Sequence, residues 1–132
     1  MFLLDTNIIG YLMKGTFPHL TEKVLSIPPS EIAVSAVSVF EMEYVAMKKG
    51  WGERLRDQMY VLISPFSIVP FNAEDAIAAG QIRADLAKRG EMIGAYDVLI
   101  AAQGISRGMT VVTHNTREFG KVPNIVLEDW AE

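Results

Sequence analysis

Short apolar strands alternating with helices predict an α/β fold with a mainly parallel sheet. Two observations carry that prediction. Apolar runs rich in β-branched residues recur at Ile32-Ala33-Val34-Ser35-Ala36-Val37 and Thr110-Val111-Val112-Thr113, with a shorter run at Phe2-Leu3-Leu4. Segments of helical period separate them.

The elements follow in order. Residues 2–5 form a strand that ends in a carboxylate, Asp5. Ile8, Ile9, Leu12 and Met13 then share one helix face, and Gly15 turns the chain. A second helix runs from Pro18 to Ser26 and is stopped by Pro28-Pro29. Residues 32–37 form a buried strand; Ser38 opens a helix that runs through Lys49 and closes at Gly50. Residues 52–63 are helical, ending before Pro65, and Ser67 to Pro70 is a short strand ended by its proline. Asn72 caps an alanine-rich helix from Ala73 to Arg89. Residues 90–94 form a loop. Ala95 to Arg107 is a helix closed by Gly108. Residues 110–113 and Ile125 to Leu127 supply the last two strands. No repeat or linker interrupts the pattern, so residues 1–132 are expected to form one domain.

Composition narrows the function. Half of the 132 residues are apolar, and a chain of this size buries roughly two-thirds of its unfolded surface. The absence of cysteine excludes disulfides, thiolate metal sites and cysteine catalysis. No apolar run approaches membrane-spanning length, and no basic segment precedes the first apolar residues, so a soluble, cytoplasmic protein is expected. The net charge of −4 argues mildly against nucleic-acid binding. Between Arg83 and Lys121, however, six basic residues outnumber four acids, one of which is Asp97. Neutralising Asp97 with a metal makes that stretch locally positive.

Parallel α/β sheets bind ligands beyond the carboxyl ends of their strands. Asp5 ends the first strand, Glu41 lies in the first turn of the helix after the second, and Asp97 lies near the start of the helix leading into Thr110–Thr113. His114, Asn115 and Glu118 follow that strand. Each acid also has a structural explanation: Asp5-Thr6 can cap a helix, Ser38-x-x-Glu41 matches a capping box, and Asp97 suits a helix first turn. Together they repel one another unless a cation lies between them. Oxygen ligands without cysteine favour Mg²⁺ or Mn²⁺ over Zn²⁺. Because Mg²⁺ takes few protein carboxylates, Asp5 and Asp97 suffice as metal ligands, leaving Glu41 to orient or deprotonate a water. The implied chemistry is phosphodiester hydrolysis. Thr6, Asn7 and Thr113 are polar at the same sheet end, with Thr6 expected to act as a cap. Phe40, Met42, Tyr44 and Met47 are expected to be core.

Four motifs in order, Leu4-Asp5-Thr6-Asn7, Ser35 through Met42, Ala95 through Ala101 and Val112-Thr113-His114-Asn115, resemble the PIN domain, specifically the VapC-type toxins of bacterial toxin–antitoxin pairs. Gly80 through Ala87 and Asn115 through Phe119 resemble the subgroup that cleaves the anticodon loop of initiator tRNA. The resemblance implies a three-layer α/β/α fold, a Mg²⁺- or Mn²⁺-dependent endoribonuclease, a VapB-like antitoxin as inhibitor, and a homodimer. It makes Asp5, Glu41, Asp97 and Asn115 the catalytic set. Many PIN domains carry an acid where Asn115 stands, which opens the alternative of a weak or degenerate PIN domain that binds RNA or a partner without cutting. Glu118, three residues on, could compensate. A phospho-acceptor receiver also gathers acids at a sheet end, but it needs a lysine where Thr113-His114-Asn115 stands.

Overall fold

The computed structural model describes residues 1–132. Five strands, β1 (Phe2–Leu4), β2 (Ile32–Ser35), β3 (Ser67–Val69), β4 (Thr110–Val112) and β5 (Leu127–Glu128), pair in the order β3-β2-β1-β4-β5, with every pairing parallel. Seven helices connect them: α1 (Thr6–Lys14), α2 (Pro18–Ser26), α3 (Ala36–Lys48), α4 (Glu53–Ile63), α5 (Ala73–Arg89), α6 (Ala95–Arg107) and α7 (Thr116–Phe119). A single 3₁₀ turn at Pro29–Glu31 precedes β2.

Alternation along the strands divides the interior into two layers. Leu3, Ala33 and Val111 face one cluster, which holds Ala79 and Leu86 of α5, Val98, Ala101 and Ala102 of α6, and Phe119 of α7. Leu4, Val34 and Val112 face the other, with Ile8 and Ile9 of α1, Leu20 and Val24 of α2, Met42 of α3 and Met59 and Ile63 of α4. The expected three-layer α/β/α fold is therefore present. No helix is long and apolar enough to cross a membrane.

The strand order positions the site. The chain moves outward from β1 through β2 to β3, then returns to the other side of β1 for β4 and β5. The order reverses between β1 and β4, and ligand crevices form at such a reversal, beyond the strand ends. Asp5 follows β1 there and Thr113 follows β4.

Several boundaries differ from expectation. β2 ends at Ser35 instead of residue 37, because the Ser35 hydroxyl accepts the Val37 N–H at 3.0 Å and caps α3. Helix α3 thus begins before Ser38, and Glu41 lies in its second turn, not its first. β3 stops at Val69, since Pro70 has no N–H to give the ladder. The last strand starts at Leu127 instead of Ile125: the chain passes through a left-handed residue at Asn124, φ 65°, and the ladder with β4 begins at Val111↔Leu127. The short helix α7 was not anticipated.

Candidate carboxylate site

Asp5 is the N-cap of α1 and is 2% exposed. One of its oxygens accepts the Ile8 N–H at 2.9 Å; the other accepts the Thr113 hydroxyl at 2.6 Å. The Thr113 bond ties the end of β4 to the end of β1, and the same hydroxyl oxygen accepts the Asn115 N–H at 2.9 Å. The capping expectation for Asp5 is met, yet a cap does not require burial. Burial pushes its carboxyl above the usual range, only partly offset by the Thr113 and Ile8 bonds, and the negative charges of Glu41 and Asp129 push it further.

Glu41 is half-buried and its carboxyl is raised, chiefly by burial, with the Thr6 hydroxyl bond opposing. That hydroxyl donates to Glu41 Oε1 at 2.8 Å. It also meets the Ser38 hydroxyl at 2.8 Å. Thr6 has one hydroxyl proton and gives it to Glu41, so Ser38 must be the donor to Thr6. The roles expected of Thr6 and Ser38 as caps are thus replaced. Asp5 and Ser35 cap the helices, which frees Thr6 and Ser38 to form a hydroxyl chain ending on Glu41.

Asp97 stands in the first turn of α6 and its carboxyl is pushed up to about 6, first by burial and then by the charges of Asp5, Glu41 and Glu118. The charges of Asp5, Glu41 and Glu118 thus all act on Asp97, and Glu118, on α7, also lies 3.9 Å from Lys121 Nζ. Asp97 accepts no protein hydrogen bond that lowers it. Gly94 caps α6 without a side chain, and a Cβ there would lie 2.9 Å from Asp97 Oδ2, so glycine leaves the room the carboxylate occupies.

Asn115 is exposed, begins α7 and makes no capping bond with its side chain. Its side chain adds no charge, whereas Glu118, three residues on, is an acid whose charge acts on Asp97. His114 packs against Phe17 at 5.1 Å and Tyr11 at 6.2 Å between ring centroids, and its Nδ1 lies 3.0 Å from Asp129 Oδ2. Asp129 acts on Asp5 although no sequence motif marks it. It arrives through β5, the weakest strand signal in the chain.

Phe40, Tyr44 and Met47 are exposed, contrary to the expected core assignment; only Met42 of that group is buried. Helix α3 has two apolar stripes, and periodicity alone cannot say which one faces inward.

No three acidic or histidine side chains converge as a preformed metal cage. The donor set nonetheless fits a hard divalent cation. It is all oxygen, mutually repulsive, and has an Asp97 carboxylate free of competing donors. An ion that keeps most of its waters needs only one or two such ligands.

A family model described as the PIN domain matches residues 2–125. The chain is 37% identical over 129 residues to a Salmonella typhimurium protein named tRNA(fMet)-specific endonuclease VapC, across 98% of this chain and 97% of the relative. It is 31% identical over 131 residues to Ribonuclease VapC2 of Rickettsia felis, across 98% of each. Among solved structures, DNA-bound VapBC from Salmonella typhimurium matches with a TM-score of 0.91 at 37% identity, covering 98% of this chain and 97% of that one. VapBC2 from Rickettsia felis, bound to a promoter DNA fragment, matches with a TM-score of 0.90 at 29% identity and 98% coverage of both.

Proposed function

The chain belongs to the PIN-domain family, and from that premise we propose that Asp5, Glu41 and Asp97, with Asn115 as a weaker member and Glu118 beside it, form the active centre of a metal-dependent endoribonuclease. The protein is a VapC-type toxin, an endoribonuclease whose antitoxin partner is VapB-like. Its proposed substrate is initiator tRNA, cut in the anticodon loop, as the name of the Salmonella relative and the motifs around Gly80 and Asn115 suggest. It is proposed to act in the cytoplasm, as one domain over residues 1–132.

The observation that carries this reading is the mutual repulsion at the sheet's switch point. Asp97 is raised to about 6 by burial and by three neighbouring carboxylates, with no cationic side chain among its influences. Asp5 is buried and Glu41 and Asp97 are half-buried, and proteins rarely crowd acids in this way without a compensating charge. Asp5 and Asp97 are the residues proposed to hold Mg²⁺ or Mn²⁺. Such an ion supplies positive charge against the phosphate oxygens and acidifies water. Thr113 and the Ile8 N–H fix the Asp5 carboxylate. Thr6 holds Glu41 where it can take the proton of the attacking water, and burial makes Glu41 a stronger base for that task. Water attacks phosphorus, the P–O bond to the leaving strand breaks, and the leaving oxygen gains a proton.

Asn115 favours the alternative of a non-cutting PIN domain, because it adds no charge. The position of Glu118 weighs against that alternative. The two are separated by incubating purified protein with initiator tRNA. Cleavage in Mg²⁺ that EDTA stops and added Mn²⁺ restores is expected; tRNA binding without any metal-dependent cut supports the non-cutting alternative.

A further inference from the structure

Beside the carboxylates the surface changes character. The exposed stripe of α3 carries Phe40 and Tyr44, 52% and 55% exposed, and opposite Phe40 stands Tyr96 at 46%. The Phe40 and Tyr96 ring centroids are 5.3 Å apart with planes at 67°. Each ring directly precedes a carboxylate of the site in the chain: Phe40 before Glu41, Tyr96 before Asp97. The pair stands where the carboxylates meet a groove of about 720 Å³ that also takes in Tyr44, Lys14 and Lys49. Glu41 is the only acid lining that groove. Lys48 places its Nζ 5.5 Å from the centre of the Tyr44 ring.

Exposed rings interleaved with lysines are the surface that holds single-stranded nucleic acid, with bases on the ring faces and phosphates against the amines. A duplex hides its base faces, so it could not use these rings. Lys14 and Lys49 outnumber the one acid, which suits a phosphate backbone leading to the carboxylates, and among aliphatic and methionine side chains such as Ile9, Met13 and Val45 the rings offer flat faces.

We infer that Phe40 and Tyr96 form a stacking subsite for a nucleobase of single-stranded RNA beside the scissile phosphate, and that Lys14 and Lys49 contact the phosphates running along the groove. The inference rests on the ribonuclease reading but can fail separately from it.

Binding is measured first, in EDTA, with a stem-loop RNA that carries the initiator-tRNA anticodon loop and a fluorescent adenine analogue at successive loop positions. Wild type is expected to bind and to quench one position. Phe40→Leu and Tyr96→Leu keep apolar bulk but remove the ring face. They are expected to weaken binding about tenfold each, within the range of one base–aromatic stack, and to abolish the quench. Tyr96→Phe is expected to recover much of what Tyr96→Leu loses. In Mg²⁺ the leucine variants should raise KM with little change in kcat. Lys14→Gln with Lys49→Gln should lower the salt dependence of binding. The subsite is overturned if the leucine variants bind and quench like wild type, or if their only defect is in binding antitoxin, which would assign the groove to a protein. Wild type that binds and quenches without cutting in Mg²⁺ leaves the subsite standing and removes the ribonuclease reading. Wild type that cuts, with leucine variants of unchanged KM, removes the subsite alone.

Discussion

Two aspartates in this molecule are almost completely buried, Asp5 at 2% and Asp75 at 1% exposure, and their surroundings are opposite. Asp75 opens α5 and is met by a cation. Arg107, from the last turn of α6, donates to both of its oxygens at 3.2 and 2.9 Å. The Ser106 hydroxyl, the Gln103 amide and the Asn72 N–H add further donors. Burial alone would raise its carboxyl; the Arg107 bonds, then those of Asn72, Ser106 and Gln103, hold it well below the usual carboxylate range. Asp5 receives two neutral donors and two negative neighbours, and it is raised. The first aspartate is complete within the protein and fastens α5 to α6. Asp5 has no cation among its neighbours, and nothing within the protein compensates its burial in the same way. Burial is therefore not the mark of function. Uncompensated burial is.

Replacing each aspartate with asparagine tests the contrast most directly. Asp5→Asn keeps the shape and the cap but removes a charge from the repelling cluster. Cleavage in saturating Mg²⁺ is expected to fall at least about a hundredfold, the scale of losing one catalytic group, while the melting temperature holds or rises. Asp75→Asn strands the Arg107 charge against a half-satisfied network. Because Arg107 is 26% exposed, the loss belongs at the low end for broken buried pairs, about 3 kcal/mol, with cleavage per folded molecule unchanged. Equal behaviour of the two variants in both assays would sink the distinction.

How far this contrast was legible in the sequence depends on chain distance and on local grammar. Asp5 and Asp97 stood at element boundaries that strand and helix signals locate, so both were found. The Asp75 network is not legible beyond its Asn72 cap, because Gln103, Ser106 and Arg107 lie 28 to 32 residues away and no motif links them to it. Helix α3 was mis-started because Ser35 and Ser38 are both plausible caps; only the end of β2 decides between them, and that is set by pairing with β1 and β3. Asp129 could not be read at all, since the two-residue strand that delivers it is defined by its neighbour β4 and not by its own residues.

The second way to sharpen the comparison is pH. Asp97 binds its proton more tightly in the folded protein, at about 6, than in the unfolded chain, where the ordinary value is 3.8. Across that window the folded state carries more protons, so the contribution of Asp97 to stability falls as pH rises and stays unfavourable above about 6. Asp5 and Glu41, also raised, act in the same direction. Asp75 has the opposite sign: its contribution is present above the ordinary carboxylate range and is lost as pH falls below it. Metal-free protein should therefore be more stable near pH 5 than near pH 7, by ~1 kcal/mol once solvent screening of the half-buried Asp97 is allowed for. Mg²⁺ should raise the melting temperature near pH 7 and much less near pH 5. A metal-free melting temperature that climbs steadily from about pH 5 to about pH 7 would contradict the repelling cluster.

The smallest effect expected concerns Ser38, which never meets the reacting atoms. It is fully buried, and Thr6 is the only side-chain partner of its hydroxyl. Were it merely packing, Ser38→Ala would cost a little stability and nothing in rate. As the donor at the start of the chain to Glu41, it keeps the Thr6 proton directed at Oε1. Its loss lets Thr6 rotate and Glu41 sample other rotamers. Removing one such bond is worth ~1 kcal/mol, so kcat should fall about fivefold with KM unchanged. Thr6→Val removes the bond to Glu41 itself and should cost more, whereas Thr6→Ser keeps the hydroxyl and should restore most of the rate. If Ser38→Ala lowers the melting temperature but leaves kcat intact, Ser38 belongs with Asp75 among the residues that fasten the fold. A selective loss of kcat places it with Asp5, on the side of the molecule whose polar groups are arranged for chemistry.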